Sequence, residues 1–553
     1  MKERRKQREV LSWSKFFSCT IFVVISCVLF TGFTFSSFRL FRDNFHPVIV
    51  SPWRNSGTEV IKAEKEASPI TQVIQIQETV IFPDQVLLFL KYPSSSPLLT
   101  IHDLDCTYFP PTSSEPHLKL PPSWINDGTK SIDQFVRCPT HPHGFNPTLS
   151  VKSDGENSLA LGPAYSWESL VYEAVIDNLD NTTIVFVKGL NLRPERLGVP
   201  SRYECVYGWD FKKPKFILKS EAVLSVAQEI VRCKTPLSVL NSHDKSIKVS
   251  IRVKGRGILD SVARPDYLLE SSHAIVRKKH EMCVCTMVRN QARFLREWIM
   301  YHGRIGVQRW FIYDNNSEDP IDEVIGSLYG AGYNVTRHFW PWIKTQEAGF
   351  AHCAIRARDS CGWVGFIDVD EFLHFRANLG LHNVLRNRTT GFSRIGELRV
   401  HCHSFGPSGL KRVPAQGVAV GYTCRMANPE RHKSIVRPEL LNSSLINVVH
   451  HFHIQDGYGY VNVDKGVIVI NHYKYQVWEV FKEKFYRRVA TFVADWQNQE
   501  NVGSKDRTPG LGTRPVEPPD WSSRFCEVTD TGIRDFILRV LADPYTKRLP
   551  WQD

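Results

Sequence analysis

The spacing of apolar and polar positions changes character several times along the chain. Residues Phe16–Phe35 run for 20 positions without a charge, long enough for a helix that spans a bilayer. Lys2, Arg4, Arg5, Lys6, Arg8 and Lys15 precede that run, and basic residues stay on the cytosolic side. It is longer than a signal-peptide core and lacks a small-x-small cleavage site. We therefore read residues 1–15 as a cytoplasmic tail and 16–38 as a retained transmembrane signal anchor, with the remainder across the membrane. Residues 39–80 mix Pro, Ser, Glu and Lys without a period, the pattern of a stem.

From 81 to 275 short apolar runs recur between Pro, Gly, Asn and Asp: Val86–Leu90, Ala174–Ile176, Thr183–Val187, Lys215–Leu218 and Ser246–Val253. This rhythm predicts an antiparallel, sandwich-like all-β domain. The aromatics of Cys205–Asp210 fit its core or a sugar-stacking patch. From 276 to 515 strands and helices alternate. Met282–Val288 reads as a strand, and Ala292–His302 as a helix with Phe294, Leu295, Trp298 and Ile299 on one face. Arg309–Tyr313 and Gly332–Thr336 read as strands, residues 346–360 as a helix, and 363–367 as a fourth strand. Such alternation predicts a parallel sheet with helices on both faces. Gly466–Ile470 adds a strand, 473–490 a basic amphipathic helix, and 516–553 a C-terminal helix (531–542) and tail.

The chain has 553 residues, 42% of them hydrophobic and 23% charged, which is a globular composition of two or three domains. Its net charge of +12 suits an anionic partner. No basic stripe interleaved with aromatics forms a nucleic-acid motif, so nucleic acid is not expected. Of 13 Cys, Cys19 and Cys27 lie in the N-terminal apolar run. Eleven remain, in no four-ligand zinc spacing. An oxidising compartment would pair most of them and leave at least one free. Cys283 and Cys285, two apart in a strand, face one side of the sheet. Sequons at Asn181, Asn315, Asn334, Asn387 and Asn442 fit a lumenal chain.

The chemistry concentrates where the strand Trp363–Ile367 meets Asp368-Val369-Asp370-Glu371. Ligands of open α/β sheets bind beyond the carboxyl ends of strands. Two carboxylates held there on one side call for a divalent cation, and a cation so placed can carry a nucleotide diphosphate. Glu371 would point to the other face and orient the loop through backbone N–H groups.

Several motifs then resemble glycosyltransferase family 92: Cys285–Asn290, Phe294–Trp298 with Tyr301-His302, Tyr313–Ser317, Phe366–Phe372, Phe405–Gly409, His432–Ser434 and Asn471–Tyr473. They occur in the family's order over about 200 residues. Plant members of the family include β-1,4-galactan galactosyltransferases. The resemblance implies a GT-A type nucleotide-sugar-binding domain, a single-pass type II topology in the Golgi membrane, inversion at the sugar carbon, a UDP-sugar donor and Mn2+. It further implies UDP-galactose as donor and a glycan such as cell-wall galactan as acceptor. Pro407 stands where the family commonly has Ser, in a loop near the acceptor.

On this reading Asp370 and His472 ligate the metal, and Asp368 bonds ribose or a metal-bound water. Thr286, Arg289, Asp314 and Asn315 contact the nucleotide, with Asp314 accepting the uracil N–H and Asn315 holding ribose. Lys433 and Arg437 stabilise phosphate charge. An inverting transfer also needs a base; Glu397, Glu430 and Asp456 are candidates, and the sequence does not choose among them. A homodimer is compatible with this organisation. Two rival readings are a lectin-like or scaffold protein with an inactive transferase domain, and a metallohydrolase built on His401/His403 and His451/His453.

Overall fold

The computed structural model describes residues 74–552 apart from 93–97, 112–115, 127–133, 141–143, 153–158, 191–195, 268–278, 378–379, 390–393 and 493–515. The expected anchor at 16–38 and most of the stem lie outside the described residues. Among the described residues no helix is long and apolar enough to cross a membrane.

The β-rich region starts earlier than its sequence pattern indicates, because Gln75–Ile81, inside the expected stem, is already a strand. It also forms two sandwich-like units. In the first, a five-stranded sheet containing Gln75–Ile81, Gln85–Lys91 and Phe135–Pro139 faces the three-stranded sheet of Leu104–Phe109, Leu118–Leu120 and Asn146–Val151. Val86, Leu88, Leu104 and Tyr108 fill the space between, and the Cys106–Cys138 disulfide crosses it. In the second, the 11-residue strand Ile217–Ala227 pairs with Tyr203–Gly208 through its first half and with Ile230–Lys234 through its second. A flat sheet would hold those two outer strands about 10 Å apart. Cys205 and Cys233, one on each, are disulfide-bonded with Cα atoms 5.9 Å apart, so the long strand bends from one sheet into the other.

Both units pack on the α/β region through aromatics. Phe82, Trp167, Tyr172 and Phe186 share one buried cluster with Trp340, Trp342 and Phe350. Trp167 stacks on Trp342 at 5.6 Å, and Trp124 on Phe339 at 4.1 Å.

The α/β region runs β1 (His280–Val288), α1 (Ala292–Ile305), β2 (Arg309–Asp314), α2 (Ile321–Gly330), β3 (Val335–Phe339), α3 (Gln346–Arg358), β4 (Cys361–Phe366), β5 (Glu371–Phe375), β6 (Ile395–Ser404), β7 (Arg431–Val436), β8 (Gly459–Asn462), β9 (Ile468–His472) and α4 (Trp478–Phe492). The strand order is β3-β2-β1-β4-β7-β6-β9-β5, with β8 also on β6. β3, β2, β1 and β4 are parallel, as alternation predicts. The rest is mixed: β7 is antiparallel to β4 and β6, and β5 to β9. β6 is parallel to β8 and β9, and the helix Leu381–Thr389, among these later strands, joins β5 to β6, which are not neighbours in the sheet.

Two features place the site. β1 leads to β2 on one side while β4 lies on the other, so a crevice opens beyond their carboxyl ends. The short link from Phe366 to Glu371 must also reach β5, with β7, β6 and β9 in between. In a flat sheet that distance is about 19 Å, the full stretch of such a link. The link is instead folded into a turn, with Glu371 N–H donating to Asp368 O at 3.0 Å. The sheet therefore curls, and Asp368–Asp370 lies across its mouth.

All eleven downstream cysteines are accounted for: five disulfides, with Cys402 buried and free. Cys283 and Cys285 bind Cys361 and Cys353, tying β1 to β4 and α3 from one face of the sheet. The C-terminal segment is not a loose tail. Cys526 is bonded to Cys424, and Ile533 and Ile537 of the helix Gly532–Val540 sit in the main core.

Candidate active site

Asp368 and Asp370 leave the end of β4 and each meets a cation and an imidazole. Lys433 Nζ, from β7, lies 3.3 Å from Asp368 Oδ2 and 2.8 Å from Glu371 Oε1. His450 Nδ1 donates to the carbonyl of Phe366 at 2.8 Å, which leaves Nε2 facing Asp368 Oδ2 at 3.3 Å. His472 closes β9 with Nε2 3.5 Å from Asp370 Oδ2, and Lys484 of α4 bonds the same oxygen. Burial alone would raise both carboxyls. Lys433 and then His450 outweigh it at Asp368, and Lys484 and then His472 at Asp370, so both lie well below the usual carboxylate range. Burial likewise opposes the Lys433 charge, yet Asp368 and Glu371 hold its ammonium above the ordinary value.

Glu371 accepts the backbone N–H of Asp368 at 3.0 Å, so it does orient the loop. It does not face away from the acid pair, however. Lys433 bridges it to Asp368, and His472 Nδ1 lies 3.6 Å from its Oε1. The turn at 368–371 sets this arrangement, because it abolishes the strand alternation that would have put Glu371 on the far face.

The residues fit a divalent cation. Asp370 and His472 converge on one point, with Glu371, Cys402 and His472 grouped beside it at ligand atoms within 4.8 Å of one another. A carboxylate with an imidazole is a donor set that Mn2+ accepts. Lys484 holds the Asp370 oxygen that a cation would take.

The expected nucleotide contacts divide. Thr286 is fully buried on β1, its hydroxyl without a hydrogen-bond partner. Arg289 is half-buried at the end of β1. Asp314 does not offer the acceptor expected of it. It is fully buried, receives Ser317 N–H at 2.9 Å, and receives Arg337 Nε at 3.1 Å and Nη2 at 2.5 Å. Asn315 donates its amide to the carbonyls of Trp340 and Trp342, at 2.7 and 3.2 Å, so that amide holds a loop in place. Arg437 turns to Glu439 at 2.9 Å rather than to the acid pair. Asn290 and Asn316, at φ 53° and 65°, take the left-handed conformation that Asn tolerates. Asn290 Oδ1 accepts Glu318 N–H at 2.7 Å, and its own N–H donates to Ser317 Oγ at 3.0 Å. These bonds lock the β1–α1 and β2–α2 turns together.

Sequence reasoning missed Lys484, Arg337 and Arg137. Buried Arg137, from the first β unit, reaches the Ser317 carbonyl at 3.5 Å. A lysine on the face of an amphipathic helix gives no sign of its target, and Arg137 lies 180 residues from its partner. His450 had a weak signal, in the cluster His450-His451-Phe452-His453.

The family model described as Glycosyltransferase family 92 matches residues 278–503. A glycosyltransferase family 92 protein of Ricinus communis is 62% identical, over 100% of both chains. The chain belongs to glycosyltransferase family 92. Family 92 proteins of Oryza sativa subsp. japonica and Arabidopsis thaliana are 52% and 47% identical, covering 96% and 87% of this chain and 93% and 85% of theirs. Among solved structures, S. aureus TarS 1-349 overlaps at a TM-score of 0.23 with 11% identity, over 38% of this chain and 65% of that one. The mannosyltransferase PcManGT from Pyrobaculum calidifontis, in complex with GDP-Man and Mn2+, overlaps at 0.22 with 11% identity, over 42% and 68%. Overlaps this small carry no argument about the site. As a family 92 member the protein is a glycosyltransferase, and the family match spans β1 to β9 with every residue of the acid pair's surroundings.

Proposed function

We propose that this glycosyltransferase moves a hexose, galactose from UDP-galactose, with inversion onto a glycan such as cell-wall galactan. Its α/β region then serves as a GT-A type domain. The observation that carries the reading is the convergence of Asp370 and His472 beside Asp368 at the mouth of the curled sheet. A bound Mn2+, held by Asp370 and His472, would neutralise the departing diphosphate. Lys433 keeps Asp368 ionised beside it and places a fixed positive charge near the phosphates. Arg289 lies at the β1 end of the crevice, where an anionic donor would enter. An intact acid pair with its cations favours catalysis over a lectin-like role.

Of the three candidate bases, Glu397 is buried at 1% exposure and Asp456 is in an exposed turn. Glu430 is the one with both solvent access and proximity to His472. Burial would raise its carboxyl, but Lys474 at 2.8 Å outweighs that and keeps it an anion, the form to which an acceptor hydroxyl can donate. We also propose a type II anchor over 16–38 in the Golgi membrane, with the catalytic region lumenal; the net charge and sequons support that placement.

The test is a donor and acceptor screen of the full-length chain in detergent, with Mn2+ and with EDTA. Transfer from UDP-galactose that stops on chelation and returns with Mn2+ is expected. Undiminished transfer in EDTA, or hydrolysis without an acceptor, overturns the reading.

A further inference from the structure

A second group of ligating side chains includes His432 and His451, the sequence neighbours of Lys433 and His450. Glu397 on β6, His432 on β7 and His451, next to His450, bring a carboxylate oxygen and two imidazole nitrogens within 4.8 Å of one another. Ligands about 2.0–2.1 Å from a tetrahedral ion lie roughly 3.4 Å apart. Closing around an ion therefore needs only small side-chain shifts. His401 and His403, by contrast, are not part of the group.

The hydrogen bonds set the ligands up. Ser434 Oγ is fully buried between Glu397 Oε1 and His451 Nδ1, in contact with the first and 3.0 Å from the second. The carboxylate can only accept, so the serine hydrogen goes to Glu397 and His451 Nδ1–H donates to the serine oxygen. That fixes the tautomer with a lone pair on Nε2, the second-sphere arrangement usual for metal-bound histidines. Glu397 is buried; its Oε2 receives no hydrogen bond and forms an ion pair with Arg399 Nη2 at 3.1 Å, and the same guanidinium lies over the ring of Tyr460, 3.4 Å from its centroid. The His432 and His451 rings are 4.3 Å apart. Burial first, then nearby positive groups including Arg399, keeps both imidazoles below their ordinary value and hence neutral, the form that binds metal.

We infer that Glu397, His432 and His451 form a divalent-cation site of the zinc type, distinct from the acid pair. Two imidazoles and a carboxylate with one open position make a donor set that zinc favours. The ion would pin residues 447–454 to β6 and β7. His450, which braces Phe366 and faces Asp368, would be held in register by its neighbour.

The test uses the full-length chain, stripped with chelator and then dialysed against Zn2+ or Co2+. Metal content is measured by mass spectrometry and Co2+ coordination by visible absorption. We expect one equivalent retained by the parent and by Asp370→Asn, with a tetrahedral Co2+ spectrum. In His432→Ala and Glu397→Gln retention should fall at least tenfold. X-ray absorption at the zinc edge of the parent protein should show two imidazoles, a readout that does not depend on any variant folding. No zinc retained by the parent, zinc lost in Asp370→Asn but kept in His432→Ala, or an edge spectrum without imidazole overturns the inference. The first of these would mean that Arg399 alone neutralises Glu397.

Discussion

Asp314 and Asp370 both sit at the carboxyl end of a strand in the same sheet, both are buried, and their settings differ. Asp314 is closed off by the Arg337 guanidinium and a backbone N–H from its own turn. Those partners come from its own turn and from the neighbouring strand β3. Asp370 is balanced by His472, at the end of β9, and by Lys484, on a long flexible stem from α4. The first arrangement is complete without a ligand. The second keeps a charged oxygen on one partner that can move away. Strand-end position alone therefore does not mark a ligand-binding acid; what does is a counter-charge that can be exchanged.

Asp370→Asn should lower kcat by about 10²- to 10³-fold, as loss of a group that stabilises developing charge does, with thermal unfolding unchanged. Turnover near the parent's would remove Asp370 from the chemistry. Asp314→Asn should do the reverse. Leaving Arg337 without its buried partner costs about 3 kcal/mol, read as a lower melting temperature, while KM and kcat of the remaining folded enzyme change little. A large loss of donor affinity at full stability would restore Asp314 to the nucleotide site.

Glu297 is a third case, because among the described residues no cation pairs with it. It accepts the N–H groups of Val418 and Ala419 at 2.7 and 2.8 Å, and burial pushes its carboxyl up to about 7. A native pKa raised above the ordinary 4.5 means that the folded state holds a proton the unfolded state releases. The stability this group adds is full below pH 4.5 and is lost as pH rises to about 7. In Glu297→Gln that decline between the two pH values should flatten in denaturant titrations; an unaltered slope would refute the shift. Gly417 is fixed by the same contact. Its φ is 103°, and a Cβ there would meet Glu297 Oε2 at 2.6 Å. The smallest effect is expected at Lys484. Lys484→Ala should tighten Mn2+ binding by tenfold or less, measured by electron paramagnetic resonance, since the ammonium competes for the same oxygen. Weaker binding would make Lys484 part of the metal environment instead.

Much of this was readable from residues in line. The β1–α3 alternation, the acid pair after β4, the same-side cysteines and the odd thiol all follow from local periodicity and parity. Alternation stops where the strand does: carried on, it puts Glu371 on the far face, but residues 368–371 form a turn. Asp314, Asn315 and Arg437 suit polar ligand contacts by type and position, yet their partners are Arg337, the carbonyls after β3, and Glu439. Nothing in a linear pattern says that a polar side chain already has a partner.

The sequence by itself determined which segments become strands and helices, because side-chain period is a local property of the backbone. It also determined the family, through motifs in fixed order. Only the tertiary structure decided which cysteine of eleven stays free, that the sheet curls, and which cation faces which acid. Those outcomes depend on groups separated by tens of residues meeting in a low-dielectric interior, where a charge without a partner is too costly to keep.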